Sequence, residues 1–485
     1  MPYDDLRHFV ETLEESGQLL RVHDEVALEP DLGAAGNALG RFGERAPALW
    51  FDNLRGFPGA RVVMNVHGSW ANHALALGLP PGTPVREQVE EFGRRWDTFP
   101  VPVERRADAP FLENGVEGED VDIFGILPLF RLNDADGGFY LDKAAVVSRD
   151  PDRPDDFGQQ NVGTYRLQVI GKRRLTVIPV AVHDLGRHIA AAESRGEDLP
   201  IAIALGNEPS IPIVAGMPIA GGDSEFEMSG ALRGAPAPIT AAPATGLDVP
   251  WGAEVVIEGV VEARQRVHEG PFGEFTGQYS GGRRVPVVRV DRISYRTRPI
   301  FEVLYLGTPW TEIDYLMGPS TCLPVLKELR ESFPQVRAVN AMYTHGLLTI
   351  VSTGTPYGGF AHAVGVRTAT TRHGLGYCKV VVVVDDFVDP FDLPRVMWAI
   401  STKVDPGRDV IRLPSMSITP ADPGSSPQGI SDKLVIDATT PVFPDQRGEY
   451  ATPVRDLADA DAWFERLAAL RGAAAAGAPG EGSRR

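Results

Sequence analysis

The first apolar residues of the chain recur at about helical spacing, at Leu6, Phe9, Val10, Leu13 and Leu20, with Gly17 as an interruption. This is the spacing of one helical face, and Asp4 or Asp5 just before it suits an N-cap. The apolar runs ALWFDNL and ARVVMNVHG then read as strands, and VREQVEEFGRRW reads as a second helix. Together these patterns predict a small mixed α/β domain over residues 1–115.

Between residues 116 and 312 the pattern changes to short β-rich runs separated by glycine and proline. The runs are TYRLQVIG, RLTVIPVAV, AEVVIEGVVEA, VPVVRVDRISYR and PIFEVLYLG. Their spacing predicts a barrel or a sandwich, interrupted by one helix at GRHIAAAESRG. The Pro/Ala-rich stretch APAPITAAPATGLDVP is interpreted as a plain surface loop that connects strands.

An α/β pattern returns over residues 313–458. The stretch GPSTCLPVLKELRESFP predicts a helix, with Pro319 suited to its first turn and Pro324 able to kink it. The stretch YCKVVVVVDDFVDPFDLPRVMWAIST predicts a strand that is buried on both faces, followed by a loop and a helix.

The end of the chain, residues 459–485, divides into a helix and a tail. The stretch DADAWFERLAALRG predicts an amphipathic helix that docks on another domain or subunit through Trp463, Phe464, Leu467 and Leu470. The tail AAAAGAPGEGSRR is predicted to be disordered.

Charge and composition exclude several classes of function. The 485 residues carry 47 Lys and Arg against 65 Asp and Glu, a net charge of −18, with no long basic cluster to oppose it. A nucleic acid or an anionic membrane is therefore not expected as a partner. The two cysteines, Cys322 and Cys378, lack CxxC spacing, which argues against a disulfide scaffold, a zinc site and an iron-sulfur cluster. No stretch approaches the about 20 apolar residues of a membrane span, so a cytoplasmic protein is expected.

Several common cofactor and nucleophile motifs are also absent. The chain has no GxGxxG after a strand, no GxxxxGK[ST], no GxSxG and no HExxH. A Rossmann cofactor site, a P-loop, an α/β-hydrolase nucleophile and a zincin site therefore lose their main support.

Two glutamates flank the turn in EGPFGEFTG, which runs from residue 269 to residue 277. On a strand, Glu269 and Glu274 would lie on opposite faces, and on a helix they would lie about 140° apart. A turn shaped by Gly270, Pro271 and Gly273 can instead aim both carboxylates into one pocket. On composition alone, the alternative is a plain turn with two solvated glutamates.

Two acids that share a dry site do not both stay ionised, so the pKa of one rises and that group becomes a general acid at neutral pH. Raising the pKa of a glutamate from about 4.3 to about 7 requires about 4 kcal/mol of differential interaction. A nearby cation must therefore hold the other carboxylate in its charged form, and arginine supplies that best.

The stretch NVGTYRLQV contains a candidate for that cation. If residues 164–169 form a strand, Arg166 and Gln168 share one face of it. A lone inward arginine in a β-barrel is costly without a carboxylate partner, so Arg166 is predicted to pair with Glu269. The alternative is a surface arginine on an edge strand.

Candidate metal ligands are spread over three stretches. His183 lies in IPVAVHDLGRHI, Glu225 lies in GGDSEFEMSGALRG, and Asn161 begins NVGTYRLQV. This mixed oxygen and nitrogen set suits Mn²⁺ or Mg²⁺ better than zinc or copper. An isolated histidine is more often a satisfied polar residue than a ligand, so both interpretations stay open at this point.

Taken in order, NVGTYRLQV, PVAVHD, SEFEMSGALRG, EGPFGEFTG and CKVVVVVDD resemble the motifs of the UbiD family of reversible decarboxylases. The resemblance implies a multidomain α+β and α/β fold, with a central split β-barrel flavin-binding domain flanked by N-terminal and C-terminal α/β domains. It also implies a prenylated FMN (prFMN) cofactor, Mn²⁺ or Mg²⁺, K⁺, and a homo-oligomer formed through a terminal helix.

Matching motif to motif, the resemblance also implies roles for individual residues. The implied metal ligands are Asn161, His183 and Glu225. The implied cofactor contacts are Asn161, Thr164, Tyr165, Arg166, Val182, His183, Glu225 and Lys379, with Lys379 on the phosphate. The implied K⁺ loop is the backbone of Val214, Ala215 and Met217. The implied catalytic set is Arg166, Glu269 and Glu274.

The implied reaction is the reversible, non-oxidative decarboxylation of an unsaturated or aromatic carboxylic acid through a covalent adduct with prFMN. Glu274 would protonate the carbanion, while Arg166, held by Glu269, would orient the substrate carboxylate. A flavin prenyltransferase would supply the cofactor. The motifs are closest to the hydroxyarylic-acid branch, which suggests a phenolic acid such as 4-hydroxybenzoate or vanillate.

Pocket residues and alternative functions stay open in the sequence. Phe275, Thr308, Trp310 and the loop DPGSSPQGISDK either line the substrate pocket or are structural. The alternative functions are a decarboxylase of a non-aromatic α,β-unsaturated or polyenoic acid, an ordinary FMN-dependent split-barrel oxidoreductase, and a non-catalytic assembly or cofactor-binding subunit.

Overall fold

The computed structural model describes residues 2–179, 183–219, 221–308, 310–445, 447, 454 and 457–477, without the side chains of residues 461 and 472–477. Val182, a predicted cofactor contact, lies outside the described residues. Among the described residues, no helix combines the length and the apolar character needed to cross a membrane.

The N-terminal part begins with the helix that the apolar spacing predicts. The elements are α1 (Leu6–Glu15), β1 (Leu19–Val22), α2 (Gly33–Leu39), β2 (Ala48–Phe51), β3 (Arg61–Met64), α3 (Trp70–Ala76) and α4 (Val85–Trp96). The side chain of Asp5 caps α1 by accepting the backbone N–H of His8. Strands β1, β2 and β3 form a four-stranded sheet with a later strand, β16 (Ile300–Val303), which runs parallel to β3.

The middle part is built around one large antiparallel sheet. The strands of this part are β4 (Glu104–Arg105), β5 (Asn114–Glu117), β6 (Phe139–Leu141), β7 (Ala145–Arg149), β8 (Gln160–Thr164), β9 (Leu167–Gly171), β10 (Arg174–Thr176), β11 (Leu199–Leu205), β12 (Pro238–Ala241), β13 (Asp248–Pro250), β14 (Val255–Glu269) and β15 (Arg283–Tyr295). Its helices are α5 (Ile123–Ile126), α6 (Asp184–Arg195), α7 (Ser210–Ala215) and α8 (Glu225–Arg233).

The large sheet has the order β6-β9-β10-β15-β14-β11-β7-β8, with β5 paired to β15. It curls as a half-barrel, and within the described residues its end strands β6 and β8 are not paired with each other. The predicted architecture of three parts with mixed α and β content is confirmed.

Four predictions for this part are wrong. Where one helix was predicted, α5, α7 and α8 accompany α6, and the run PIFEVLYLG supplies β16 to the N-terminal sheet instead of the middle one. The run TYRLQVIG is not one strand, because β8 ends at Thr164, β9 begins at Leu167, and Tyr165 and Arg166 lie in the break between them. The stretch APAPITAAPATGLDVP is not a plain loop, since it forms the antiparallel pair β12 and β13. Its apolar residues Ile239 and Val249 are fully buried in a core beneath the sheet.

The C-terminal part is an α/β layer. Its elements are α9 (Glu312–Ser332), β17 (Val336–Tyr343), β18 (Leu348–Thr353), α10 (Phe360–Ala369), α11 (Arg372–Gly376), β19 (Val380–Asp385), α12 (Leu393–Lys403), β20 (Val410–Ser417) and β21 (Ile430–Ala438). The sheet order is β17-β18-β19-β21-β20. The predicted strand, loop and helix at residues 377–402 are confirmed, and Val381 to Val384 of β19 are buried on both faces.

Helix α9 begins earlier than the sequence pattern predicts. It starts at Glu312 because Thr311 and Asp314 form a capping box, in which each side chain pairs with the other residue's backbone N–H. Pro319 and Pro324 therefore lie inside the helix, and Pro319 is not in its first turn.

The final helix, α13 (Ala460–Gly477), has the predicted apolar residues on its surface. Trp463, Phe464, Leu467 and Leu470 are 53–69% exposed. The helix runs to Gly477, so residues 473–477 are helical where disorder was predicted, and residues 478–485 lie outside the described residues. Docking of this helix on another subunit stays a prediction.

A buried ionic cluster joins the three parts of the chain. The Lys143 ammonium lies 2.6 Å from carboxylate oxygens of both Glu302 and Glu312, and Glu312 also accepts the backbone N–H groups of Asn65 and His67. Burial by itself would raise the pKa of Glu312, but Lys143 and His67 lower it to about 2. The cluster fixes the start of α9 against the middle sheet.

Candidate active site

The stretch EGPFGEFTG, residues 269–277, is called the acidic turn here and lies in the connection between the two longest strands of the middle sheet. Strand β14 ends at Glu269, and Gly270 follows with φ +94°, a left-handed conformation that glycine adopts without steric cost. The Asp136 carboxylate then accepts the backbone N–H of Gly273 at 2.8 Å, which fixes the chain next to Glu274. Gly273 allows a close approach, since a Cβ there would collide with the side-chain amide of Asn133.

Arg166 lies at the centre of this turn and holds both acids. Its Nη2 lies 2.9 Å from Glu269 Oε2, its Nη1 lies 2.5 Å from Glu274 Oε1, and Nη2 also donates to Ser280 Oγ at 3.2 Å. The guanidinium carbon stands 4.8 Å from the centre of the Phe272 ring. The predicted pairing of Arg166 with Glu269 is confirmed, and the break between β8 and β9 is what points Arg166 at the turn.

The two acids have different surroundings. The Glu269 side chain is completely buried, whereas 16% of the Glu274 side chain is exposed. Burial raises the pKa of Glu274 above its ordinary value, although the charge of Arg166 opposes the shift. The direction is that expected for a general acid. Tyr140 donates to Pro271 O at 3.2 Å, and burial together with the nearby charge of Glu269 raises the pKa of the Tyr140 phenol.

Arg166, Glu269 and Glu274 form a trio in which two polar atoms have no partner within the described residues. Arg166 Nε and Glu269 Oε1 are both buried and make no hydrogen bond. Buried polar groups are nearly always paired, and an unpaired one costs about 1–3 kcal/mol. An unsatisfied donor and an unsatisfied acceptor on adjacent catalytic candidates point to a polar ligand between them.

Asn161 and Glu225, two of the candidate metal ligands, lie next to each other. Glu225 begins α8, and its Oε2 accepts the backbone N–H of Val162 at 3.2 Å, one residue after Asn161 in β8. Burial raises the pKa of the Tyr165 phenol, and Asn161 and the backbone of Leu185 oppose the shift, so both lie near that hydroxyl. Leu185 is in the first turn of α6, and His183 is the exposed N-cap residue of the same helix.

These residues fit a hard cation. Burial raises the pKa of Glu225 to about 8, which is the behaviour of a carboxylate that lacks a positive partner. The side-chain oxygen of Asn161 is the atom that would ligate a cation, whereas its buried amide nitrogen, which has no hydrogen bond among the described residues, is a donor and would not. The described residues contain no group of three or more His, Cys, Asp or Glu side chains that could hold a metal. A metal here would therefore use the amide of Asn161 as well as Glu225 and His183.

The other predicted cofactor residues occupy different settings. Lys379 precedes β19, and its ammonium lies 2.8 and 3.0 Å from the Asp422 carboxylate oxygens, in the loop DPGSSPQGISDK. The Thr164 hydroxyl donates to Ala144 O at 3.2 Å. In the predicted K⁺ loop, at the end of α7, Val214 and Met217 are buried and Ala215 is half-buried.

The candidate pocket residues Phe275, Thr308 and Trp310 likewise contact different parts of the protein. Phe275, which follows Glu274, packs edge-on against the His345 ring at 6.1 Å. Thr308 accepts a hydrogen bond from the Asn37 amide, and Trp310 packs against Tyr315.

Sequence analysis did not identify Ser280, Tyr140 and Asp136, which support the acidic turn. Tyr140 and Asp136 come from a distant stretch of the chain, whereas Ser280 lies in the same loop between β14 and β15, and none belongs to a recognised spacing pattern. Only the need of buried carboxylates for donors could have suggested that such residues exist.

Three family models match this chain. They are the N-terminal domain, the Rift-related domain and the C-terminal domain of 3-octaprenyl-4-hydroxybenzoate carboxy-lyase (UbiD), which match residues 10–92, 103–309 and 314–438.

Among curated proteins, a phenolic acid decarboxylase of Streptomyces sp. (strain D7) is 66% identical over 470 residues, covering 97% of this chain and 99% of that protein. Among solved structures, the closed form of vanillic acid decarboxylase from Sedimentibacter hydroxybenzoicus superposes with a TM-score of 0.89 at 48% identity, covering 97% and 99% of the two chains. An evolved dimeric form of HmfF from Pelotomaculum thermopropionicum, in complex with prFMN, reaches a TM-score of 0.80 at 27% identity, covering 95% and 98%. The chain therefore belongs to the UbiD family and is a UbiD-type carboxy-lyase.

Proposed function

We propose that this protein decarboxylates a phenolic carboxylic acid with prFMN, using Glu274 as the proton donor and Arg166 and Glu269 to orient the substrate. Similarity to phenolic acid and vanillic acid decarboxylases supports the substrate class. The prFMN complex of a relative supports the cofactor. The observation that carries the residue roles is one guanidinium shared by two carboxylates in unequal surroundings.

Arg166 binds the substrate carboxylate in this proposal. Its two Nη atoms are already used by Glu269, Glu274 and Ser280, but its Nε is buried and has no partner in the part of the chain that the structure describes. A carboxylate is the natural acceptor for that donor, because a charge-assisted hydrogen bond is about twice as strong as a neutral one. Glu269 holds the guanidinium in place, so the donor is oriented before the substrate arrives.

Glu274 holds and moves the proton. When CO₂ leaves, the bonding electron pair stays with the substrate carbon, and the Glu274 carboxyl transfers its proton to that carbon. Arg166 then stabilises the new Glu274 carboxylate, and water returns the proton. The raised pKa of Glu274 keeps its acid form to higher pH than an ordinary glutamate would. The same groups run the reverse reaction, in which the Glu274 carboxylate accepts the proton from the ring carbon.

When bound, prFMN supplies the electron sink that protein side chains lack. Asn161, His183 and Glu225 would hold it through Mn²⁺ or Mg²⁺, and Lys379 would contact its phosphate. Thr164, Tyr165 and Val182 would lie along the flavin. The backbone of Val214, Ala215 and Met217 would form the K⁺ loop. Proposed partners are a flavin prenyltransferase that supplies the cofactor and further copies of the chain in a homo-oligomer.

The test uses protein produced together with a flavin prenyltransferase. We expect mass spectrometry to identify bound prFMN, and CO₂ to be released from 4-hydroxybenzoate or vanillate. Glu274→Gln should lower release at least 100-fold, the usual scale for losing a general acid, while the flavin absorbance is kept. Glu262→Gln, on the same strand hairpin but paired with the surface residue Arg174, is the matched control.

Three outcomes would overturn parts of the proposal. Full activity of Glu274→Gln would remove Glu274 as the proton donor. Unprenylated FMN together with NAD(P)H oxidation would favour an oxidoreductase. Release of CO₂ from a polyenoic acid, but from no phenolic acid, would reassign the substrate.

A further inference from the structure

Three consecutive residues between β17 and β18 adopt left-handed backbone conformations. Thr344 has φ +48°, His345 has φ +57° and Gly346 has φ +92°. Glycine accepts such angles freely, but Thr344 and His345 do not, and non-glycine residues in this region are uncommon outside functional sites. The surrounding fold must therefore hold this turn in place.

Side chains around the turn fix its backbone. Burial raises the pKa of the Asp314 carboxyl to about 7, and the backbone N–H of Thr344 opposes the rise, so that carboxyl lies near the turn. The Thr349 hydroxyl donates to the carbonyl of Gly346 at 2.9 Å, and a ring nitrogen of His373 lies 3.3 Å from the carbonyl oxygen of His345. Side chains from other elements thus hold two carbonyl groups of the turn that carries His345.

The His345 ring lies against the acidic turn. It packs edge-on against Phe275, which follows Glu274, at 6.1 Å, and against Tyr377 at 4.4 Å. Burial raises the pKa of the Tyr377 phenol, and the charge of Glu274 adds to the rise. The imidazole therefore contacts the residue that follows Glu274 and a second ring that senses the charge of Glu274, which places it on the side of the acidic turn.

The His345 ring has an unused hydrogen-bonding atom. Its Nδ1 is buried and has no partner within the described residues. Burial, with a smaller effect from His373, lowers the pKa of His345 to about 3, so the ring is neutral. A neutral imidazole nitrogen pairs with a hydroxyl group in either tautomer, as acceptor or as donor, whereas it gives no charge attraction to a second carboxylate.

We propose that His345 Nδ1 hydrogen-bonds the phenolic hydroxyl of the substrate and thereby selects hydroxylated aromatic acids. This inference rests on the proposed function, because it takes the carboxylate end of the same substrate to be bound by Arg166. Phe275 and Tyr377 flank the aromatic ring in this arrangement, and their rings exclude water from the hydroxyl. A site built to pair a substrate hydroxyl rejects the analogue that lacks it, because its own buried polar atom is then left unpaired.

The test measures ligand binding without turnover. Protein loaded with unprenylated FMN is titrated with 4-hydroxybenzoate and with benzoate by isothermal titration calorimetry. The wild type should bind 4-hydroxybenzoate roughly 10- to 100-fold more tightly than benzoate. His345→Leu should reduce this ratio to about one by weakening only 4-hydroxybenzoate, and His345→Asn, which keeps a hydrogen-bonding side chain, should retain part of the preference.

The control is His362→Asn, a histidine of the same domain that faces Asp437 away from the acidic turn, and it should keep the wild-type ratio. Equal affinities in the wild type, or an unchanged ratio in His345→Leu, would overturn the role of His345. Neither outcome would touch the proposed function, which fails separately if the prFMN-loaded wild type releases CO₂ from no phenolic acid.

Discussion

Replacing Arg166 by glutamine tests the electrostatics of the acidic turn most directly. The guanidinium makes charge-assisted hydrogen bonds to Glu274 at 2.5 Å and to Glu269 at 2.9 Å. Each such bond contributes about 1.5–3 kcal/mol, so losing both removes about 3–6 kcal/mol. If that energy orients the reacting groups, kcat/KM should fall roughly 100- to 10,000-fold.

The pH dependence gives the sharper signature. Burial raises the pKa of Glu274, and Arg166 is the strongest influence that opposes the shift. Removing Arg166 should therefore raise the pKa of Glu274 further, so that the acid form persists to higher pH. The alkaline limb of the residual activity should move upward. In the variant, folded Glu274 keeps its proton to a higher pH than Glu274 of the unfolded chain, so folding loses free energy as pH rises through this range. The difference in thermal midpoint between the variant and the wild type should therefore grow with pH.

The assay is CO₂ release between pH 5 and pH 9, combined with thermal unfolding and flavin absorbance. The double variant Arg166→Gln/Glu269→Gln removes the carboxylate left unpaired in the buried site and should regain stability without regaining activity. Arg174→Gln, at the surface pair with Glu262, should change neither property. An alkaline limb that stays in place or moves downward in Arg166→Gln would refute the reasoning.

Two other predictions concern charged groups outside the trio. Lys143→Met should lower the free energy of unfolding by about 3–5 kcal/mol in urea titrations, because it leaves two buried carboxylates without their cation. The double variant Lys143→Met/Glu302→Gln should recover part of the loss, and an unchanged midpoint in the single variant would contradict this. Lys379→Ala should weaken FMN binding by at least 10-fold in fluorescence titrations if Lys379 contacts the phosphate, while Asp422→Asn should not weaken it. Equal loss in both variants would instead assign the pair a structural role.

The contact of Arg166 with Glu269 and Glu274 was predictable only in part. Two glutamates in one dry site need a cation, which suggested Arg166, but a solvated turn and a surface arginine stayed open until the resemblance to UbiD motifs grouped the three residues. The details of how Arg166 arrives were not predictable. The alternation of side chains in TYRLQV is compatible with one continuous strand. The strand is interrupted after Thr164 because β8 pairs with β7 whereas β9 pairs with β6.

Other differences come from interactions that a local pattern does not contain. The start of α9 depends on a capping box at Thr311 and Asp314 that uses aspartate where glutamate or glutamine is usual, so Pro319 looked like the better start. The conformation of His345 depends on Asp314, Thr349 and His373, which come from three other elements. No spacing rule joins residues that meet only through tertiary structure.

Asp314 lies close to both of these features. Its carboxylate accepts the N–H of Thr311 in the capping box, and although burial raises its pKa to about 7, the nearby N–H of Thr344 in the left-handed turn opposes that rise. The start of α9 is itself fixed to the middle sheet through Glu312 and Lys143. The buried carboxylates of Asp314 and Glu312, at the start of α9, therefore link the turn that carries His345 to the middle sheet, which carries the acidic turn.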